Sequence, residues 1–224
     1  MLEYPTFYGS LDLRTNVSNL LNDKLKINKK YLITPETITC HAGCGAAVSN
    51  LIQAICDPND GCMIPLPYYG GFDADVVCYS RATIVPVECD ANFLPTIASL
   101  EVAFATQKCK VLLLTNPGNP TGTVIPISLM KEILEWANEK DLHVIVDEIY
   151  ALSVFAESLT FQSVFSFEDI PNPLKTHLVW GISKDFSMNG LRMGCVISHN
   201  TELIKTLHMF SLFSNMSQLT DAMV

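Results

Sequence analysis

A lysine and an arginine eight positions apart are the first residues in this sequence that could do chemistry together. Lys184 and Arg192 lie in SKDFSMNGLRMG, a glycine-punctuated stretch that follows an apolar run. An uncharged lysine amine is a nucleophile that forms Schiff bases with aldehydes, and an arginine guanidinium binds phosphate through two parallel hydrogen bonds. A lone lysine in this position is usually a solvated surface residue. The presence of Arg192 nearby is what favours a site.

Three other polar or aromatic stretches follow apolar runs. Asp147 and Tyr150 belong to DEIY after the run HVIV, Asn119 belongs to NPGNPTG after VLLL, and Tyr68 and Tyr69 belong to PLPYYGGF. Each has an ordinary explanation by itself. A carboxylate there often caps a helix or forms a turn, Asn, Pro and Gly form tight turns, and paired tyrosines are typical of an aromatic core. Only their combination favours a functional interpretation.

A turn of small residues, 41–47, opens an apolar helix and contains Cys44 and Gly45. Small side chains at a helix start leave backbone N–H groups free to approach an anion, and the helix dipole also favours negative charge there. Close packing of the helix explains the small residues equally well at this stage.

The elements that must position these residues are short β-branched runs alternating with helix-like segments. Strands are predicted at 63–65, 83–87, 111–114, 143–146, 178–182 and 195–198. Apolar residues at helical spacing predict helices around 11–21, 48–55 and 129–137, the last with Ser128 as N-cap, and another at 202–213. Residues 157–175 are predicted to be a surface excursion. The alternation predicts an α/β fold with a largely parallel sheet, where ligands bind beyond the carboxyl ends of the strands.

Composition excludes several classes of protein. The chain has 224 residues and a formal net charge of −9, so it lacks the basic surface that nucleic acids or anionic membranes would bind. The N-terminus resembles neither a secretory signal nor a transit peptide, and no apolar stretch is long enough for a membrane span. A cytoplasmic location and a small-molecule ligand are therefore expected.

The eight cysteines do not suggest a disulfide framework or a metal site. There is no CxxC pair and no Cys/His cluster with zinc spacing, so no metal is expected. Most of the cysteines stand in or beside apolar runs, which is typical of reduced core residues. This interpretation covers Cys40, Cys56, Cys62, Cys78, Cys89, Cys109 and Cys195.

Taken in order, AGCGAA, PYYGGFD, NPGNPTG, DEIY and SKDFSMNGLRMG resemble the motifs of the class I/II aminotransferase family of fold-type I pyridoxal-phosphate enzymes. The likeness covers nearly the whole chain and is greatest to 1-aminocyclopropane-1-carboxylate synthases and synthase-like proteins. It implies a three-layer α/β sandwich with a mostly parallel seven-stranded sheet. It further implies an N-terminal helical segment at 1–30, a large cofactor-binding domain at 31–224 without the C-terminal small domain, and a homodimer acting on an amino acid.

The resemblance also implies pyridoxal 5′-phosphate as the cofactor and three catalytic residues. Lys184 would form the Schiff base with the cofactor, and Asp147 would pair with its pyridine nitrogen. Tyr150 would bond the phenolic oxygen of the ring. A carboxylate against the ring nitrogen keeps that nitrogen protonated, and the protonated ring withdraws electrons from the substrate.

The other cofactor contacts implied by the resemblance surround these three. Asn119 would join Tyr150 on the phenolic oxygen, and Tyr69 would stack on the ring. Arg192 would clamp the phosphate, and the backbone amides of Cys44 and Gly45 would cradle it.

Three departures from the family pattern leave the activity open. Phe7 stands where the synthases have a tyrosine that reaches across the dimer, with Tyr8 one place further on. Gly181, three residues before the lysine, replaces a phosphate-binding serine. The family's substrate-carboxylate arginine belongs to the small domain, which this chain lacks.

Three hypotheses follow. The first is a transaminase or a cyclopropane-forming lyase, with Phe7 favouring the transaminase. The second is a truncated or inert relative that binds the cofactor and dimerises without turnover. The third, a nucleotide-binding domain, is disfavoured because neither GxGxxG nor GxxxxGK[ST] follows any strand.

Overall fold

The computed structural model describes residues 6–156 and 159–224. Within them, seven strands form one sheet: β1 Ile38–His41, β2 Gly61–Pro65, β3 Thr83–Val87, β4 Cys109–Thr115, β5 His143–Asp147, β6 Thr176–Gly181 and β7 Gly194–Ser198. The helices are α1 Leu11–Lys24, α2 Cys44–Ile55, α3 Phe72–Val77, α4 Ile97–Phe104, α5 Ile127–Glu139, α6 Ile182–Asp185, α7 Thr201–Ser214 and α8 Gln218–Met223. Short 3-10 turns occupy Lys29–Tyr31, Pro35–Thr37, Val164–Ser166 and Asn189–Leu191.

The order of the strands brings the carboxyl ends of the central ones to one edge of the sheet. The order is β1-β7-β6-β5-β4-β2-β3, with β2 to β6 parallel and β7 antiparallel to both β6 and β1. Thr115, the last residue of β4, pairs with Asp147, the last of β5. Gly181 ends β6 and pairs with Gly194, which begins β7. The segments that follow β4, β5 and β6 and the one that precedes β7 therefore meet at this edge.

Helices cover both faces of the sheet, and the sheet separates the core into two layers. Leu112 and Leu114 of β4 pack in a cluster with buried residues of α1, α4 and α5. Val111 and Leu113, which point to the other face, pack in a cluster with residues of α2, α3 and α7. This alternation along a strand buried on both faces is typical of a parallel sheet between two helical layers. The predicted fold class is confirmed.

All six predicted strands are present, and the differences concern their ends and the helix starts. Ile182 was placed in a strand, but it begins α6 because β6 ends at Gly181. Ser128 is not the N-cap of α5, which begins at Ile127; the carbonyl of Pro126 already accepts from the Met130 amide at 2.9 Å. Strand β1 was not predicted, since its sequence ITCH contains polar residues and does not stand out as an apolar run.

The prediction of a surface excursion at 157–175 is only partly correct for the residues that the structure describes, since several of them are exposed but others are buried. Val164, Phe165 and Phe167 are buried in the core. The amide of Val164 donates to Glu148 Oε1 at 2.8 Å, which fastens the segment to the end of β5. Residues 157 and 158 lie outside the described residues. The serines and prolines of this segment suggested a loop, but its aromatic residues cover the sheet.

The cysteines are all free thiols, and six of the eight are buried. The expectation that Cys78 and Cys89 are core residues is wrong, because Cys78 is exposed on the surface and Cys89 is only partly buried. In the described part of the chain, no helix is long and apolar enough to cross a membrane.

Replacing Phe165 tests whether the segment after β5 belongs to the core. Its side chain has 0% relative exposure, so Phe165→Ala should lower the free energy of unfolding by about 3 to 5 kcal/mol, the usual cost of emptying a buried aromatic site. Denaturant unfolding measures the change. The matched variant Phe213→Ala removes a ring that is 88% exposed and should stay within about 0.5 kcal/mol of the unsubstituted protein. Equal effects of the two substitutions would contradict the fold.

Candidate functional site

The eight residues singled out in the sequence line one cavity of about 380 Å³. This size lies within the range of small-molecule sites, about 300 to 1,000 Å³. The cavity opens at the edge of the sheet where β4, β5 and β6 end. Its lining includes Cys44, Gly45, Tyr69, Asn119, Asp147, Tyr150, Lys184 and Arg192.

The N-terminus of α2 forms one wall of the cavity and lies unusually close to the sheet. A Cβ on Gly194 would collide with the backbone of Gly43 and Cys44, and a Cβ on Gly181 would stand 2.7 Å from Cys44 Sγ. Gly43, the N-cap residue, has a φ of 93°, which glycine adopts without strain. The small residues at 41–47 therefore allow α2 to pack closely against the sheet. They also leave the N-terminus of this helix open to the cavity.

Asp147 supplies a deeply buried acid at the floor of the cavity. Its Oδ1 accepts one hydrogen bond, from the Ile149 amide at 3.2 Å. Burial raises the pKa of Asp147 from its ordinary value of 3.8 to about 7, a shift that the Asp75 carboxylate increases and the Ile149 amide opposes. A buried carboxylate with so few donors is suited to a cationic partner, which would restore its charge.

Tyr150 and Asn119 are neighbours in the lining of the cavity. Asn119 Nδ2 lies 3.4 Å from Tyr150 Oη and donates to it. The pKa of the Tyr150 phenol is raised, first by burial and then by the charge of Asp147. Asn116 holds the loop that carries Asn119, because its backbone amide donates to the Asp147 carbonyl at 2.9 Å and its Oδ1 accepts from Ile125 at 2.9 Å.

Lys184 lies in α6, a single turn of helix directly after β6. The neighbouring Asp185 fixes this turn to the turn after β5: it accepts from the Leu152 amide at 3.1 Å, the Ser153 hydroxyl at 2.6 Å and the Trp180 indole at 3.0 Å. Sequence reasoning missed Asp185, although SKDF contains it. Its partners Leu152 and Ser153 lie about thirty positions earlier, which the sequence alone does not reveal.

Arg192 lines the cavity beside the α2 N-terminus. Its backbone is left-handed, with a φ of 54°, and its Nη1 donates to the Asn189 carbonyl at 3.2 Å. A Cβ on Gly43 would lie 2.5 Å from Arg192 Nη2, so only glycine leaves room for the guanidinium. The guanidinium and the free amides of α2 together form an anion-binding wall, called the anion cup below.

Tyr69 presents an exposed ring to the cavity. The ring is 47% exposed and meets Phe72 edge-on, with centroids 5.5 Å apart at 87°. One face of Tyr69 is therefore available for a flat ligand. Tyr68 has a different role, since its hydroxyl donates to Asp73 Oδ1 at 2.8 Å outside this cavity.

Phe7 and Tyr8 are not part of the cavity lining in the described residues. The Tyr8 ring stacks on His208 with centroids 3.6 Å apart, and the Arg14 guanidinium lies 4.9 Å from the ring centroid. These contacts hold Tyr8 against its own chain.

Further lining residues were not singled out in the sequence. Phe72, Asp75, Ser183 and Asn189 belong to the same cavity. Phe72 and Asp75 follow Tyr69 at helical spacing in YGGFDAD, which is the signal that could have found them. Within residues 6–156 and 159–224, no group of three or more His, Cys, Asp or Glu side chains could hold a metal ion.

Known structures share this fold and arrangement of elements. Aspartate aminotransferase from Thermus thermophilus with maleate is 26% identical, with a TM-score of 0.85 over 98% of this chain and 55% of that one. The aromatic aminotransferase from Pyrococcus horikoshii is also 26% identical, with a TM-score of 0.83 over 97% of this chain and 56% of that one.

Curated relatives are more similar in sequence but much longer. The chain is 36% identical to the probable inactive 1-aminocyclopropane-1-carboxylate synthase-like protein 2 of Mus musculus, over 98% of this chain and 40% of that protein. It is 31% identical to 1-aminocyclopropane-1-carboxylate synthase 6 of Arabidopsis thaliana, over 99% of this chain and 46% of that protein. The chain thus spans less than half the length of either. The model of the family "aminotransferase class I and II" matches residues 1–224, and the chain belongs to this family.

Proposed function

We propose that this chain binds pyridoxal 5′-phosphate through a Schiff base with Lys184 and forms the cofactor-binding part of an enzyme that acts on amino acids. The family is one of pyridoxal-phosphate-dependent enzymes. The observation that carries the proposal is that the amine, acid, phenol, guanidinium and helix N-terminus required for this cofactor line a single cavity. Two structural features fit the cofactor: a buried carboxylate that lacks a cation, and a cup that glycines keep open.

Each end of the cavity suits one end of the cofactor. Arg192 and the α2 amides bind the phosphate, because the guanidinium donates two hydrogen bonds and the helix N-terminus donates more. Asp147 accepts from the ring nitrogen at the other end and keeps the nitrogen protonated. When bound, the cofactor supplies an electron sink for a substrate carbanion.

The residues between these ends orient the ring and move the proton. Tyr150 and Asn119 would donate to the phenolic oxygen, and the exposed face of Tyr69 is available to cover the ring. Lys184 would hold the cofactor, and its amine, when free, would accept and return a proton. Asp185 is a positioning residue that keeps the Lys184 turn in place through Leu152 and Ser153.

The overall reaction is proposed as a transamination, with a cyclopropane-forming elimination as the alternative within the same chemistry. Phe7 favours transamination because it lacks a phenol, and the Tyr8 phenol is held against His208. Supplying S-adenosylmethionine and finding the cyclic amino acid would reverse this choice. A cytoplasmic location, a homodimer and a large domain at 31–224 preceded by a helical segment belong to the same proposal.

A relative that binds the cofactor without turnover is the second candidate function. It is favoured by the similarity to a mouse protein named as probably inactive and by Phe7. A half-reaction assay over a panel of amino acids separates the two candidates. Conversion of bound pyridoxal phosphate to pyridoxamine phosphate by any of them would rule out inertness.

Removing the lysine tests the proposal directly. The purified protein mixed with pyridoxal 5′-phosphate should show the visible absorption band of a Schiff base, and Lys184→Ala should lose the band because the attacking amine is gone. Lys205→Ala, which removes an exposed lysine paired with Glu202, should keep it. Absence of the band from the unsubstituted protein would defeat the proposal.

Arg192→Lys distinguishes the bidentate hydrogen bonding of the phosphate from the effect of positive charge alone. Lysine keeps the positive charge but cannot donate two parallel hydrogen bonds, so the affinity for the cofactor should fall roughly ten- to hundredfold, the equivalent of about 1.5 to 3 kcal/mol. Titration of the visible band measures the dissociation constant. An unchanged constant would show that the guanidinium does not bind the phosphate.

The burial of Asp147 should make the stability of the cofactor-free protein depend on pH. Because its folded pKa of about 7 exceeds its ordinary value of 3.8, the folded state holds the proton more tightly, and the free energy of unfolding should fall as pH rises from the lower value to the higher. Asp147→Asn should remove this contribution, on the order of 2 to 4 kcal/mol over that range.

Denaturant unfolding at several pH values measures the slope. Some slope should remain in Asp147→Asn, because burial also raises the pKa of Glu148 from 4.5 to about 8. Glu132→Gln, an exposed control on α5, should keep the original slope. A slope in Asp147→Asn as steep as in the unsubstituted protein would show that Asp147 does not titrate in this range.

A further inference from the structure

Asp75 places a second carboxylate beside the anion cup. It lies on α3 and lines the same cavity as Lys184 and Arg192. Its Oδ1 and Oδ2 stand 3.0 and 3.2 Å from the position that a Cβ on Gly45 would take, in contact with the first turn of α2. An acid is therefore built into the wall that the proposed function assigns to a phosphate.

This carboxylate has no compensating partner. Within residues 6–156 and 159–224 it makes neither a hydrogen bond nor a salt bridge, whereas Asp73 on the same helix accepts from Tyr68. Burial alone raises the pKa of Asp75 above its ordinary value of 3.8. The cations of the cavity are not positioned to oppose this shift.

The groups that face Asp75 come from several elements. Cys44 on α2 and Asp147 at the end of β5 both have a pKa raised in part by the Asp75 charge. Lys184 on α6 and Arg192 before β7 line the same cavity. Asp75 thus belongs to the electrostatics of the cavity but is paired with none of its members.

A doubly charged anion in the cup would be repelled by an ionised Asp75. A protonated carboxyl in the same position carries no charge and has an O–H to donate to the anion. We infer that Asp75 takes up one proton from solvent when a phosphate or sulfate dianion enters the cup, and then donates a hydrogen bond to that anion. The inference rests on the proposed phosphate site, but it concerns a residue for which the family resemblance implied no role.

Isothermal titration with sulfate tests the inference on the cofactor-free protein. Sulfate stays doubly charged at neutral and mildly acidic pH, so any proton taken up enters the protein. At about pH 6, Asp147 with its pKa of about 7 is already mostly protonated, and its uptake is small. Titrations in two buffers of different ionisation enthalpy should give an uptake of about 0.5 to 1 proton per sulfate.

Substitution of Asp75 should remove this uptake. Asp75→Asn imitates the protonated side chain, so it should bind sulfate at least about tenfold more tightly at pH 7 and take up less than about 0.2 proton at pH 6. The matched variant Asp73→Asn removes the same charge from the same helix, but from a carboxylate that accepts from Tyr68. It should keep the proton uptake and change the affinity less than about twofold.

The outcomes separate this inference from the proposed function. Proton uptake by Asp75→Asn equal to that of the unsubstituted protein, or no uptake by the unsubstituted protein, would overturn the inference even if the Schiff-base band forms. Failure of sulfate to bind at all would overturn it too. Because the uptake is measured on the unsubstituted protein, its absence overturns the inference even if Asp75→Asn does not fold. Loss of the Schiff-base band alone would count against the proposed function.

Discussion

The site depends on how closely the N-terminus of α2 approaches the junction of β6 and β7. Gly181 and Gly194 pair across these strands, and a side chain on either would strike Cys44 or the backbone beside it. Gly43 in turn leaves room for the Arg192 guanidinium. Because these contacts allow no Cβ, the helix N-terminus, the lysine turn and the arginine surround one cavity. A helix set back by the width of a methyl group would separate them.

The cavity also has an unusual balance of charge. Its lining combines Lys184 and Arg192 with two carboxylates, Asp147 and Asp75. Burial raises the pKa of each acid, and neither has a salt bridge among the described residues. A protein interior tolerates such acids when they are neutral or when a ligand supplies the missing cation. A cofactor with a cationic ring nitrogen at one end and an anionic phosphate at the other would make the two acids behave oppositely. Asp147 would lose its proton, and Asp75 would gain one.

Much of the fold and the composition of the cavity could be predicted from sequence because both depend on local patterns. Apolar runs marked the strands, and the residues directly after them came together because parallel strands end at one edge. Contacts between distant segments left no such signal. Asp185 accepts hydrogen bonds from Leu152 and Ser153, and the Asp75 carboxylate lies beside Gly45, across separations that only the folded chain reveals. The prediction of a surface excursion was incomplete for a related reason. The turn-forming residues in 159–175 suggested a loop, whereas aromatic side chains of the same segment are buried in the core.

The central claim is that one particular amine carries the cofactor. Reduction of the protein–cofactor mixture with borohydride would fix any Schiff base as a stable secondary amine, and peptide mass spectrometry would then locate it. The account predicts a pyridoxyl phosphate adduct on the peptide that contains Lys184, at a stoichiometry near one per chain. Attachment spread over exposed lysines such as Lys108 and Lys205, with none on Lys184, would contradict it.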